Sequence, residues 1–120
     1  MAGKLLVSIT NAGNDPDRAT VGFVIANASA ASGVETSVFL STEGVRLSEA
    51  GYAEDIHEEG FTPLTELMDS FVEADGTILV CSPCFEKRGL SEDELVNGAK
   101  IVGGAVAVEM MVTGASCITY

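Results

Sequence analysis

The segment from 76 to 88 is Gly76-Thr-Ile-Leu-Val-Cys81-Ser-Pro-Cys84-Phe-Glu-Lys87-Arg88. Its first half, up to Val80, consists of β-forming and apolar residues and predicts a buried parallel strand that ends at Cys81. Ser82 is a favourable helix N-cap and Pro83 a favourable first helical residue, so a helix is predicted to follow without a loop. This arrangement places Cys81 at the carboxyl end of a strand and Cys84 in the first turn of a helix.

The two cysteines form a C-x-x-C motif in an electropositive setting. The free N–H groups and the positive end of the helix dipole are expected to lower the pKa of either thiol. Lys87 and Arg88 follow closely, although the chain has only 6 basic residues against 18 acidic ones. The motif therefore predicts a thiolate site at Cys81 and Cys84. The alternative is that both cysteines are small apolar residues packed beneath a turn.

Length and composition indicate a single globular domain over residues 1–120, because a chain of 120 residues buries a core without dividing into domains. A hydrophobic content of 47% excludes disorder, and a net charge of −12 argues against nucleic acids and anionic membrane surfaces as partners. Three cysteines do not suit a secreted disulfide framework, and the amino terminus has no signal-peptide pattern. No apolar run reaches the ~18 residues of a membrane span. The cytoplasm is the expected location.

Strands and helices alternate along the rest of the chain. Apolar runs predict strands at 4–10, 35–40 and 116–120, with a brief extended piece at 100–102. Helical spacing predicts helices at 16–32, 63–74 and 103–113, and a capping box starts a short helix at Ser91.

This alternation predicts an α/β fold, a three-layer sandwich with helices on both faces of a mostly parallel sheet of four to five strands. Right-handed crossovers put the carboxyl ends of the strands on one edge, where ligand sites form at the switch in strand order. The loop Asn11–Asn14, the residues Ser41–Glu43 and the two cysteines are expected to meet there. The sequence therefore predicts that the thiols lie in the cleft at that switch.

Two segments depart from the simple alternation. Residues 43–62 are acidic and interrupted by glycines, which predicts either a cover over the site or a solvated face, with a short helix around 48–57. The helix at 103–113 carries Glu109 as its only charge. A helix that is apolar on nearly all sides must be buried on nearly all sides, so we expect a subunit interface there.

The run Cys81-Ser-Pro-Cys84-Phe-Glu-Lys-Arg88-Gly89-Leu90 resembles the DsrE/DsrF-like sulfur-relay family, especially its small stand-alone YchN-like members. The resemblance rests on a cysteine that ends the third strand, an Arg-Gly-aliphatic triplet downstream of it, and a small polar loop after the first strand. It implies that Cys81 holds persulfide sulfur and that Cys84 matches a second cysteine found in some members. It also implies assembly into homotrimers or homohexamers, with sulfur donor and acceptor proteins as partners.

The leading hypothesis is a sulfurtransferase-type persulfide carrier with no resident cofactor or metal. Cys81 attacks a donor persulfide, and Cys84 can resolve the product as an internal disulfide. The candidate binding residues lie in the polar loop and around the start of the helix: Asn11, Gly13, Ser82, Lys87, Arg88 and Gly89.

Three other functions are considered. A dithiol redox module would use Cys81 and Cys84 as a reversible disulfide, although the chain has no tryptophan of the kind found beside such motifs. A zinc site would need both cysteines to converge with Cys117, expected in the core, and His57, expected in solvent. A non-catalytic, oligomeric small-ligand-binding protein would hold a phosphate in the loop 10–14, loosely as flavin-binding α/β proteins do.

Overall fold

The computed structural model describes residues 2–120, which form five strands, four α-helices and three short 3₁₀ helices. The strands are β1 (Lys4–Ile9), β2 (Glu35–Leu40), β3 (Thr77–Cys81), β4 (Ala99–Val102) and β5 (Ser116–Thr119). The α-helices are α1 (Pro16–Ala31), α2 (Leu64–Glu73), α3 (Ser82–Lys87) and α4 (Gly104–Val112). The 3₁₀ helices are Thr42–Ser48, Tyr52–Asp55 and Glu92–Glu94. The predicted strands and long helices are confirmed, with small differences at their ends.

The five strands form one sheet in the order β4-β3-β2-β1-β5, and every neighbouring pair is parallel. This arrangement confirms the predicted α/β fold. From β1 to β4 each crossover steps to the next strand on the same side, whereas the last crossover returns past β1 to β5. Because such crossovers are right-handed, α4 lies on the face of the sheet opposite to α1 and α2. The switch in strand order is between β1 and β5.

The cysteine motif does not lie at this switch. Strand β3 pairs with β2 and β4, and Cys81 is in register with Val102 of β4. Strand β2 therefore separates β3 from β1. The expectation that the thiols occupy the cleft at the switch is wrong, because two crossovers in the same direction carry β3 away from the β1–β5 pair.

The main core lies between the sheet and the helices α1 and α2. Alternate residues of the three central strands point into it: Val7, Ile9, Val38, Leu40, Ile78 and Val80. Phe23 of α1 and Phe71 of α2 are both fully buried, and their rings meet edge to face with centroids 5.9 Å apart. The Asn27 side chain of α1 donates to the Leu67 carbonyl of α2 at 2.8 Å. Apolar packing and this bond fix the two helices to each other.

The segment 43–62 is packed on the body of the protein. Val45 and Leu47 are fully buried within it, so an apolar pair anchors an otherwise acidic stretch. Backbone bonds join it to the chain after α3, with the Ala50 N–H donating to the Glu94 carbonyl at 2.7 Å and the Val96 N–H to the Ser48 carbonyl at 2.8 Å. The segment therefore covers part of the core and is more than a solvated face.

Helix α4 and strand β5 leave an apolar surface exposed on the protomer. Val112 is 77% exposed and Val108 55% exposed, while Ala107 is the buried residue of the helix. Strand β5 is an edge strand and all four of its residues are exposed. Cys117 is among them, so the expectation that it is packed in the core is wrong, since β5 has a strand on one side only. No helix within residues 2–120 combines the length and hydropathy needed to cross a membrane.

Candidate functional site

Strand β3 runs directly into helix α3, as the sequence predicts, but the cap is shifted by one residue. Cys81 is both the last residue of the strand and the N-cap of the helix, while Ser82 is already helical. The predicted N-cap at Ser82 is therefore wrong, because no residue intervenes between the two elements. The Ser82 hydroxyl points along the helix toward the Glu86 carboxylate, 3.4 Å away. Gly89 ends the turn with a φ of 64°, in the left-handed region that favours glycine.

The two thiols differ in their access to solvent. Cys81 is 9% exposed and belongs to the core cluster, together with Phe85 of the same turn. Cys84 is partly exposed and packs against the edge of that cluster. Both cysteines are free thiols. The motif thus pairs a buried cysteine with a half-buried one.

Burial raises the pKa of the Cys81 thiol above its ordinary value of 9.0, because it removes water from the charged form. A hydrogen bond from the backbone N–H of Cys84 acts in the opposite direction, and the neighbouring Cys84 thiol raises the pKa further. The net direction is upward. The expectation that the helix start and nearby cations lower the pKa of Cys81 is wrong, since the loss of hydration is the larger effect.

The two predicted cations are directed away from the thiols or into solvent. Lys87 is exposed. Arg88 is largely buried, and its Nε donates to the Glu43 carboxylate at 2.9 Å while its Nη1 donates to the Cys84 carbonyl at 3.1 Å. The second Glu43 oxygen accepts from Arg46 Nε at 2.8 Å. Arg88 thus ties α3 to the segment after β2, and its charge is balanced by a carboxylate.

Sequence reasoning placed Glu43 at this edge of the sheet without giving it a role, and it did not single out Arg46. The two arginines lower the pKa of the Glu43 carboxyl from its ordinary value of 4.5, with Arg88 contributing the larger effect and Arg46 the next. A signal for Glu43 was available, because it follows β2 and parallel strands end at the same edge of the sheet. Nothing in the sequence pattern indicated Arg46.

The loop 10–14 is closed by hydrogen bonds within it and to Tyr52. The Gly13 N–H donates to the Tyr52 hydroxyl at 2.9 Å, and the Ala12 N–H donates to the Asn14 side chain at 2.7 Å. The Asn14 side chain in turn donates to Asn11 at 2.9 Å. Two of the N–H groups that a phosphate would need are therefore already bonded, which disfavours the phosphate-binding alternative. Binding roles for Asn11 and Gly13 stay predictions.

The residues of the hypothetical zinc set do not form a metal site. Cys117 is on β5, at the opposite side of the sheet from β3 and β4. His57 is exposed, and its Nε2 lies 2.8 Å from the Phe61 carbonyl oxygen. Within residues 2–120 no group of three His, Cys, Asp or Glu side chains is arranged to hold a metal ion.

The fold and the site define a three-layer α/β protein with a cysteine pair at the carboxyl edge of a five-stranded parallel sheet. The chain belongs to the DsrE/DsrF-like family, which it matches over residues 3–120. The resemblance noted from the cysteine motif is therefore confirmed.

Relatives and solved structures agree with this assignment. The chain is 30% identical to the uncharacterized protein MJ0989 of Methanocaldococcus jannaschii over 98 residues, which cover 82% of each chain. It is 28% identical to the uncharacterized protein MK0008 of Methanopyrus kandleri over 97 residues, 81% of this chain and 77% of that one. The crystal structure of the YchN protein from E. coli matches 98% of this chain and 99% of its own, with a TM-score of 0.78 and 17% identity. MTH1491 from Methanobacterium thermoautotrophicum matches the same shares with a TM-score of 0.71 and 17% identity. At these identities the solved structures establish the fold alone.

Proposed function

We propose that the protein is a sulfur-relay protein that carries sulfane sulfur as a persulfide on the cysteine pair Cys81 and Cys84. The observation that carries this proposal is the pairing of two free thiols at the carboxyl end of β3, one of them partly exposed. Membership of the DsrE/DsrF-like family supports it. No other group of side chains considered above offers a nucleophile with a partner.

The chemistry requires a thiolate that attacks the outer sulfur of a donor persulfide. A new sulfur–sulfur bond forms on the protein and the donor's own sulfur–sulfur bond breaks, so the donor leaves as a thiolate. The carried sulfur then passes to an acceptor thiolate in the same way, and the protein cysteine is regenerated. These steps need an accessible sulfur, and the partial exposure of Cys84 supports such a role.

The proposal extends to partners and surroundings. The exposed apolar residues of α4 and β5 support assembly into a homotrimer or homohexamer through that surface. Sulfur donor and acceptor proteins are the proposed macromolecular partners, in the cytoplasm, where thiols stay reduced. Ser82, Lys87 and Gly89 flank the thiols and are proposed to contact these partners, together with Asn11 and Gly13 at the end of β1.

A dithiol redox module is the second candidate. It is favoured by one specific observation, namely that two free cysteines stand in a C-x-x-C motif at the start of a helix. Dithiol redox proteins use that arrangement. Such a module would exchange electrons with disulfide substrates and would not hold an extra sulfur.

The test is a single-turnover transfer of isotopically labelled sulfane sulfur from glutathione persulfide to an acceptor thiol. The wild type and the control Cys117→Ala are expected to accelerate the appearance of label on the acceptor, and the double variant Cys81→Ala/Cys84→Ala is not. A redox module would instead accelerate exchange with oxidised glutathione and leave sulfane transfer at the uncatalysed rate. Equal transfer by the wild type and the double variant contradicts the proposal.

A further inference from the structure

The structure divides the cysteine pair into an outer and an inner sulfur. Cys81 completes β3, is in register with Val102, and is packed in the core cluster beside Phe85. Cys84 lies one helical turn further, at the edge of that cluster, and is partly exposed. A thiolate can attack a persulfide only if the donor can approach its sulfur atom. The two thiols therefore differ in accessibility, whatever their intrinsic reactivity.

We propose that Cys84 is the cysteine that receives sulfane sulfur from the donor, and that Cys81 is the resolving thiol behind it. This assignment rests on the proposed sulfur-relay function and reverses the roles expected from the sequence. A donor persulfide is attached to a peptide or protein and must come to the surface of this chain. Cys84 is the member of the pair that such a donor reaches without local opening of the core.

The loading step is balanced without any further reactant. The Cys84 thiolate attacks the outer sulfur of the donor persulfide, forming a persulfide on Cys84 and releasing the donor as a thiolate. The carried sulfur projects toward solvent, where an acceptor thiol can take it. Arg88 holds the Cys84 carbonyl at 3.1 Å and is itself held by Glu43, so the turn that presents this sulfur is fixed to the body of the protein.

The resolving step uses the inner thiol. The Cys81 sulfur attacks the Cys84 sulfur of the persulfide, a disulfide forms between the two residues, and the outer sulfur leaves with both protons as hydrogen sulfide. The two thiols lose two electrons in total, and the sulfane sulfur gains them, so no external oxidant is needed. A dithiol reductant restores the pair. Cys81 and Cys84 form a C-x-x-C motif at the start of a helix, an arrangement that dithiol–disulfide proteins use.

Burial also suits Cys81 to the resolving role. Because loss of hydration raises the pKa of its thiol, Cys81 is ionised less often and competes less well for the donor. The N–H of Cys84 that bonds to the Cys81 sulfur stabilises the anion formed during resolution. The same environment that makes Cys81 a poor first nucleophile therefore supports it as the second one.

The experiment compares three matched variants of the full chain, namely Cys81→Ala, Cys84→Ala and Cys117→Ala, with the wild type. Each is treated with glutathione persulfide and alkylated at intervals, the sulfur on each cysteine is read from peptide mass spectra, and released sulfide is measured. Cys81→Ala is expected to accumulate sulfane sulfur on Cys84 and to release no sulfide. The wild type and Cys117→Ala are expected to release sulfide as the Cys81–Cys84 disulfide forms.

Cys84→Ala gives the decisive comparison. It is expected to load Cys81 at least about tenfold more slowly than Cys81→Ala loads Cys84. Equal or faster loading of Cys81 overturns the assignment of roles but leaves the sulfur relay intact. If neither single variant acquires sulfane sulfur, the proposed function fails together with the assignment.

Alkylation of the wild type tests the assignment even where a variant does not fold. For every unit by which burial raises a thiol pKa, the thiolate fraction falls about tenfold while the nucleophilicity of each thiolate rises about threefold, a net loss of about threefold. Restricted access adds to that loss. Iodoacetamide at neutral pH is therefore expected to modify Cys84 at least about tenfold faster than Cys81. Modification of Cys81 at an equal or higher rate contradicts the assignment.

Discussion

Replacing Arg88 by methionine tests how the cysteine-bearing turn is held in place. The Arg88 side chain is 13% exposed and reaches both the Glu43 carboxylate and the Cys84 carbonyl. The Cys84 carbonyl is one of the last four carbonyls of α3, which have no partner within the helix, so Arg88 acts as its cap. Methionine keeps most of the buried stem but donates no hydrogen bond.

The expected loss follows from the carbonyl bond. A hydrogen bond from a charged donor contributes about 1.5–3 kcal/mol to the free energy of unfolding. Water reaches the Glu43 carboxylate, which is 36% exposed, so we add nothing for the ion pair. In a domain of 120 residues each kcal/mol lowers the melting temperature by about 3–6 °C, so a decrease of about 5–18 °C is expected.

The assay is thermal unfolding followed by circular dichroism, with Lys87→Met as the matched control. Lys87 precedes Arg88 directly, is exposed, and loses the same charge on substitution. Its variant is expected to melt within about 3 °C of the wild type, since isolated surface substitutions change stability by less than about 0.5 kcal/mol. Equal melting temperatures for the two variants would refute the capping role of Arg88.

Three further predictions concern the frame of the site. Phe71→Ala removes a fully buried ring and is expected to lower the free energy of unfolding by about 3–5 kcal/mol in urea titrations. The wild type is expected to have a higher free energy of unfolding than Glu43→Gln. This difference is expected to be constant above pH 4.5 and to vanish as the pH falls through the lowered pKa of Glu43, which acid unfolding curves measure. Gly44→Ala places a Cβ against the Ile9 carbonyl oxygen and is expected to lower the free energy of unfolding by about 1–3 kcal/mol. The control Gly104→Ala meets open space and is expected to cost nothing.

The sequence was sufficient for the order of strands and helices and for the class of fold. Asp15 followed by Pro16 predicts the start of α1. The structure confirms Asp15 as the N-cap, and its side chain accepts a hydrogen bond from the Arg18 N–H at 3.1 Å. The order of the strands within the sheet could not be predicted, because the local sequence pattern does not indicate on which side of β1 each later strand pairs. The cysteines were therefore predicted at the correct end of β3, but the switch in strand order, expected beside them, lies between β1 and β5.

The chemistry of the site depended on burial, which the sequence pattern does not supply. An ionised Cys81 was predicted from the helix start, Lys87 and Arg88. In the structure Cys81 is buried, and burial raises the pKa of its thiol. Arg88 was predicted to stabilise the thiolate, but it forms an ion pair with Glu43 instead. Because Arg88 and Glu43 are far apart in the chain, no local sequence pattern predicts that they pair.

Cyanolysis measures carried sulfane sulfur most directly, because cyanide converts each labile sulfane atom to thiocyanate and leaves the thiol behind. Cys81→Ala, Cys84→Ala and the double variant are loaded with glutathione persulfide, desalted and treated with cyanide; in each single variant the remaining cysteine has no neighbour to resolve its persulfide. At least one single variant is predicted to yield about one thiocyanate per chain, and the double variant only the background. If both single variants stay at the level of the double variant, the cysteine pair does not carry sulfur.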